Sequence, residues 1–392
     1  MSHHIAIIGA GIGGLTSALA LANAGHRITL IERSTGFSEV GAGLQLSPNA
    51  SRILIALGLG PALQRAASDP TRVVIRSMKS GNRIGEIALR DHMQSTYQAP
   101  YWVIHRADLQ TILLDAVRSR PNIQLLVGRT VTNATQDNTG VSVAITTAGG
   151  ALENLQADML IGADGVRSTI RKVIGDTRSP VYQGYIAWRT TIDSQLAPAS
   201  LPRDETGLWL GTHGHVVHYP IKNGSLTNIV AIQRSKEPVE GWTAPGKLSD
   251  LLVSYGTIAP ELKQLLSSQN DWLLWSLAYV TAQKMFQGRI ALLGDAVHPV
   301  LPFLAQGAAL AIEDAACIVQ ELAASPDNIT QALASYHAKR IDRARKVQDN
   351  SKRNGKIYHA PALIAVPRNM VISRSGPTGM VKRYDWLYGY KG

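Results

Sequence analysis

Apolar residues recur along the chain in two rhythms. Short apolar runs at residues 5–8, 28–31 and 159–161, and the segment 289–293 that opens on Arg289, read as strands. Residues 207–210 and 216–219 alternate in a strand-like way, and Lys222, Asn223, Gly224 and Ser225 supply a turn after them. Beyond Pro326 a helical pattern runs from Ile329 to Tyr358, and a tail punctuated by Pro and Gly, 361–392, is expected to wrap over the surface. No internal repeat or low-complexity linker interrupts this order. A chain of 392 residues is long enough to bury a large core and to form two structural domains.

The first strand runs directly into Gly9, Ala10, Gly11, Ile12, Gly13 and Gly14, and Glu32 closes the second apolar run. This is the pattern of a dinucleotide clamp. Gly9 permits a tight turn, Gly11 lets a pyrophosphate approach the backbone, and Gly14 lets the helix pack closely on its strands. Phosphates then meet free N–H groups at a helix N-terminus. Glu32, 18 positions after Gly14, stands where an acid accepts hydrogen bonds from an adenosine ribose.

Residues 5–25 carry no charged side chain, which also suits a signal peptide or membrane anchor. The flanks argue against both: residues 1–4 hold no Lys or Arg, and five glycines within the stretch weaken a spanning helix. A cytoplasmic protein is expected. The single cysteine, Cys317, excludes an intramolecular disulfide framework and falls in an apolar helical pattern that suits burial.

Two further strand-to-helix turns carry acids. Residues 159–161 lead through Gly162 to Asp164 and Gly165, with Ser168 and Arg171 placed to fix the turn. The strand at 289–293 leads to Gly294, Asp295, Ala296, Val297, His298 and Pro299, then Pro302, Gln306, Gly307, Ala308 and Ala309. An aspartate at the carboxyl end of a strand accepts from ribitol or ribose hydroxyls. A helix start at Gly307 and Ala308 offers N–H groups to developing negative charge.

Charge is lopsided, with 13 Lys and Arg against three acids between His337 and the end, nearly the whole of the net +11. The simplest account is a solvated helix with Lys339, Arg340, Arg343, Arg345, Lys346, Lys352, Arg353 and Lys356 on its outer faces. The sharper account is a patch that draws in an anionic nicotinamide cofactor or acidic substrate. Nucleic acid is not an expected partner, because no recognition module accompanies the charge.

The three glycine-and-acid motifs, 9–14, 163–171 and 294–314, stand in the order found in the single-component FAD-dependent aromatic hydroxylases, and the sequence resembles their salicylate and hydroxybenzoate hydroxylase branch. Further similarity lies at 41–50, 105–109, 185–189, 218–220 and 386–390, so the likeness covers essentially the whole chain. The resemblance implies an α/β fold: a discontinuous Rossmann-like FAD-binding domain at 1–70, 101–178 and 283–330, a β-sheet substrate domain at 71–100 and 179–282, and a C-terminal helical segment at 331–392. It makes Gly9, Gly11, Gly14 and Glu32 the ADP clamp, Asp295 a contact to pyrophosphate and ribitol, and Arg106 a further FAD contact. Asp164 is implied to serve both FAD and a transient NADH or NADPH. The implied reaction is hydride transfer to FAD, then oxygen transfer from a flavin C4a-hydroperoxide to a small aromatic substrate, with molecular oxygen as co-substrate. A flavin oxidase or reductase on the same scaffold is the alternative. Neither a metal nor a membrane is implied, and a monomer or homodimer is expected.

If 215–219 is a strand, His215, Val217 and Tyr219 share one face and Val216 and His218 the other. His215 and Tyr219 are then roughly 13 Å apart, able to flank one ring but not to bond each other. A histidine and tyrosine so spaced line the pocket in the resembled hydroxybenzoate hydroxylases. His215 is therefore the expected general base, suited by an ordinary pKa near 6.5, with Tyr219 beside it and His213 as the rival on the same face. Pro302 and Phe303 lie in an apolar segment that suits a dry wall beside the flavin ring. Some relatives that make para-dihydroxy products carry glutamine at the position of Pro302. With Gln45, the segment is closer to salicylate hydroxylases, whose reaction replaces the carboxylate by hydroxyl. Arg189 and Arg234 are candidate partners for a substrate carboxylate, but each is better explained as a structural or surface arginine, and backbone donors alone can hold an anionic substrate.

Overall fold

The computed structural model describes residues 1–37, 43–241 and 243–391; Gly41, Ala42 and Gly392 lie outside the described residues. A six-stranded sheet runs in the order Phe286–Gln287, Ile290–Leu292, Met159–Gly162, His4–Ile8, Arg27–Glu32, Ile123–Val127. All its pairings are parallel except the short Phe286–Gln287 edge. Such strands are covered on both faces, which is why they read as unbroken apolar runs. The uncharged stretch at 5–25 has the same cause. Its helix, Ile12–Asn23, is buried along nearly its whole length between the helices Arg106–Arg118 and Gly307–Ala324. No helix among the described residues is long and apolar enough to cross a membrane.

The second large sheet has eight strands, in the order Ala244–Gly246, Trp272–Tyr279, Val181–Asp193, Leu226–Arg234, Gly214–Ile221, Glu205–Leu210, Arg72–Ser77, Arg83–Ala88. One face packs Trp188, Trp209, Val216 and Trp272 against the helices Leu248–Tyr255 and Pro260–Leu266. The opposite face meets Phe303 and the C-terminal helices. The expected turn at 222–225 forms with Lys222, Asn223 and Gly224 all at positive φ.

The long helix spans Ile329–Tyr358 as its pattern foretells. The tail runs over the surface and is mostly exposed, with a few anchoring side chains. It folds into Ala362–Lys382 and Asp385–Tyr388, broken by Gly376 at φ 65° and ψ 175°. Pro377 follows that break, where a missing N–H costs no helical bond. Ile372 lies on Gly85, where an added Cβ would come within 2.7 Å, and Val381 and Leu387 are fully buried.

Candidate active site

The nucleotide cradle begins at Gly9, whose φ of 101° and close approach to Ala163 leave no room for a side chain. Gly14 lies against the Gly9 carbonyl, while the space above Gly11 is open. Gly11 caps the Ile12–Asn23 helix with no side-chain hydrogen bond, so its first N–H groups are left for a ligand. Glu32, at the end of its strand, accepts from the Ala10 N–H at 2.8 Å and from the Ser34 N–H at 2.9 Å. It thereby ties the clamp loop to the second strand.

Asp295 sits in the turn Gly294–Ala296, exposed at the rim yet ringed by protein that raises its carboxyl above the ordinary range; the charges of Arg106 and His298 oppose this. Arg106 opens the helix Arg106–Arg118. The helix Gly307–Ala324 starts as expected at Gly307 and Ala308, again without a side-chain cap and with open space over Gly307. Two uncapped helix starts, an open glycine and two acids at strand ends fit the phosphates, hydroxyls and ring edge of FAD.

Asp164 turns inward. It accepts from the Ser168 hydroxyl and from the N–H groups of Thr169 and Ile170 at 2.7 and 3.2 Å. Burial nonetheless raises its carboxyl, against the pull of those bonds. Arg171 is buried and reaches the carbonyls of Val166 and Ala296, stapling this turn to that of Asp295.

The solvated basic helix needs correction. Arg340 is fully buried, and its guanidinium meets Asp314 and Glu313 at 2.8 Å each. Arg343 pairs with Glu313 at 2.7 Å and donates to the carbonyls of Trp386 and Leu387. Asp314 also receives His298 at 2.5 Å and the Gly294 N–H at 3.0 Å. Burial alone would push Asp314 up, but His298 and Arg340 bring it down to about 2. Glu313 further accepts from Asn49, which bonds Gln306, the residue ahead of the Gly307 helix start. Two of the basic residues thus brace the turn at Gly294 and the helix start at Gly307. Cys317 is buried in the same helix, its thiol pushed up to about 12 by desolvation.

On the second sheet His215 and Tyr219 do share a face of the strand Gly214–Ile221. Phe303, Tyr358 and His359 surround the His215 ring at centroid distances of 5.5, 5.2 and 5.0 Å, and Tyr185 packs edge-on to Phe303. His215 Nδ1 lies 2.7 Å from His359 Nε2. Burial, then His359, drives the His215 pKa well below 6.5. A general base of ordinary pKa is therefore not what the structure holds; this imidazole is neutral and resists a second proton.

Tyr219 lies against Gly43, where an added Cβ would approach its ring within 2.4 Å, and burial beside Tyr101 raises its phenol. Gln45 accepts from the Tyr101 hydroxyl, and Pro302 and Phe303 begin a short turn in which Pro302 is exposed and Phe303 buried. His213 is not on the shared face: it lies in the bend before the strand and is exposed, because the strand starts only at Gly214. His218 packs behind, beside Trp209, with burial and Arg76 lowering it to about 4. Arg189 stacks on Trp275 at 4.8 Å, and Arg234 donates to the His359 carbonyl at 3.4 Å.

His359 was not visible in the sequence. It stands one residue past the long helix and 144 positions from its partner, with no motif to mark it. No cluster of three or more metal-ligating side chains occurs among the described residues.

Comparison with known proteins identifies the family. Residues 2–351 match the family described as FAD binding domain. The chain is 32% identical over 391 residues to 3-hydroxybenzoate 6-hydroxylase of Klebsiella oxytoca, covering 98% of this chain and 96% of that one. It is 32% identical over 355 residues to 6-hydroxynicotinate 3-monooxygenase of Bordetella bronchiseptica, covering 89% and 91%. Among solved structures, a salicylate hydroxylase substrate complex superposes with a TM-score of 0.83 at 25% identity, covering 100% of this chain and 96% of that one. A Klebsiella pneumoniae HpxO variant complexed with FAD superposes with a TM-score of 0.84 at 25% identity, covering 98% of both.

Proposed function

We propose, from the premise that the chain belongs to the FAD-binding family of aromatic monooxygenases, that it hydroxylates a phenolic or hydroxy-heteroaromatic carboxylate. The observation that carries this reading is the shared face of His215 and Tyr219, closed at one end by Phe303 of the flavin loop and at the other by Gly43. A flat ring held there would have a polar side chain at either end and the apolar Phe303 beside it.

FAD, when bound, supplies the redox chemistry, taking a hydride from NADH or NADPH and passing one atom of O2 to the ring. The chain's own residues do the rest. The N–H groups beyond Gly9 and Gly11 hold the pyrophosphate, aided by the small Gly14. Glu32 would receive ribose hydroxyls, Asp295 with Arg106 would hold the ribitol side, and the helix start at Gly307 and Ala308 would offer N–H groups to the flavin. Asp164 keeps its turn in shape beneath them. Phe303 and Leu301, both buried, exclude water, while Pro302 and Gln45 border the ring's entry.

His215 hydrogen-bonds the ring hydroxyl that directs oxygen transfer, and Tyr219, kept protonated by burial, holds the far side of the substrate. In domain terms the nucleotide site belongs to 1–70, 101–178 and 283–330 and the ring site to 71–100 and 179–282, braced by 331–392. The relatives named above act on different rings, so the panel for the test is broad: NADH and NADPH oxidation, oxygen uptake and product mass with salicylate, 3- and 4-hydroxybenzoate and 6-hydroxynicotinate. A product one oxygen heavier, or one with hydroxyl in place of carboxylate, supports the reading. A yellow protein yielding only hydrogen peroxide with every ring would replace it by an oxidase or reductase.

A further inference from the structure

The His215–His359 pair contains more information than its contact distance. Both rings are neutral near pH 7, since burial lowers His215 far below its ordinary value and His359 to about 3. Two neutral imidazoles facing each other at 2.7 Å share a single proton. The second nitrogen of His359 decides whose it is. Nδ1 of His359 is buried and meets no partner. A proton placed there would strand a donor in the interior, which proteins avoid more strictly than a stranded acceptor. A proton on Nε2 of His359 enters the shared bond instead. His215 then accepts at Nδ1, and its own proton must stand on Nε2, which, unlike Nδ1 of His359, is not a buried nitrogen left without a partner.

The surroundings hold this arrangement. Arg368 donates to the carbonyls of Ile357 and Tyr358, and Arg234 to that of His359, so two guanidiniums fix the helix end that carries the ring. Their charge also opposes an imidazolium at His359. The Tyr255 hydroxyl donates to the His215 carbonyl at 3.3 Å, and Tyr358 and Phe303 pack edge-on to the His215 ring.

We propose that His359 is a positioning residue that holds His215 as its Nε2–H tautomer, making His215 a hydrogen-bond donor to the ring oxygen of the substrate and not the base that removes its proton. This rests on the reading that the His215 face meets the substrate. A donor at that place favours the ionised phenol, so the substrate's proton passes to water on binding while His215 keeps its own. The titratable or charged groups facing the pair are Tyr185, Tyr255, Tyr358, Arg234 and Arg368.

The test uses FAD-loaded protein labelled with 15N-histidine, its His215 signals assigned by their loss in His215→Gln. A pyridine-like Nδ1 and a pyrrole-like Nε2 for His215 are expected from pH 6 to 8. His359→Leu should mix the tautomers, and His359→Gln, whose amide still donates, should restore the first. With 4-hydroxy-3-nitrobenzoate as a coloured phenolic probe, His359→Leu should raise the bound probe's apparent pKa and weaken its binding about tenfold. His359→Gln should stay within about threefold of the parent, and FAD affinity should not move. A proton on Nδ1 of His215 in the parent protein overturns the proposal. If the tautomer is as stated but His215→Ala leaves the probe's pKa and binding unchanged, the donor role falls with the substrate-face reading, and only the histidine pair survives.

Discussion

Beneath the nucleotide cradle, Asp314, Glu313 and Arg340 are buried and Arg343 is partly so, each facing an opposite charge within 2.8 Å. Beneath the substrate sheet, His215, His218 and His359 are buried as neutral rings, and His218 Nε2 and His359 Nδ1 have no partner. The two regions bury polarity for different ends. Paired ions fix a geometry, because removing either partner leaves a charge that the interior cannot solvate. Neutral imidazoles leave the position of a proton to be set by a neighbour.

The sharpest way to break the contrast is Arg340→Met. It leaves Asp314 and Glu313 without their central cation, and a loss of about 3–5 kcal/mol in urea unfolding is expected, with looser FAD retention. A loss below about 1 kcal/mol would mean that the network is not the brace described. Next in size is His215→Ala, expected to slow ring hydroxylation about 10²–10³-fold while flavin stays bound. Full turnover in that variant would transfer the role to Tyr219.

Acid should separate the two regions by pH. The buried histidines have lowered folded pKa values, so they stabilise the fold above pH 6.5 and lose that contribution as pH falls toward 4 and 3. Each costs about 1.4 kcal/mol per pH unit across its window. Asp314, lowered to about 2, stabilises above its unfolded value of 3.8 and gives way only between there and about 2. Thermal unfolding from pH 7 to 4 should therefore fall steadily in the parent and less steeply in His218→Phe; equal slopes would remove His218 from the account. The smallest effect expected is on the cradle itself. Glu32→Ala and Asp295→Ala should each weaken FAD about tenfold by fluorescence titration. Unchanged affinity in both would undo the cofactor assignment to these acids.

The nucleotide half was legible because its chemistry is local. Gly9, Gly11, Gly14 and Glu32 act through backbone turns and strand ends that lie within one short stretch of chain. The long helix was equally plain from its period. What stayed hidden depends on contacts between distant residues. Arg340 reads as one cation in a basic run, yet it follows buried Tyr336 by one helical turn and so falls on the inward stripe. That spacing, set against the adjacent acids Glu313 and Asp314, was the available signal. His359 offered none, and His213 misled because strand alternation does not announce where a strand begins.

The brace at Gly294 and Gly307 has a consequence for synthesis. The glycines of the clamp emerge from the ribosome first, whereas Arg340, Arg343 and the carbonyls of Trp386 and Leu387 emerge on the order of tens of seconds later. Glu313 and Asp314 of the Gly307 helix emerge only about 1–5 seconds ahead of Arg340, and for that interval they lack its cation. A nascent chain can therefore form its first strands early, but a firm grip on the cofactor is one of the last things it acquires.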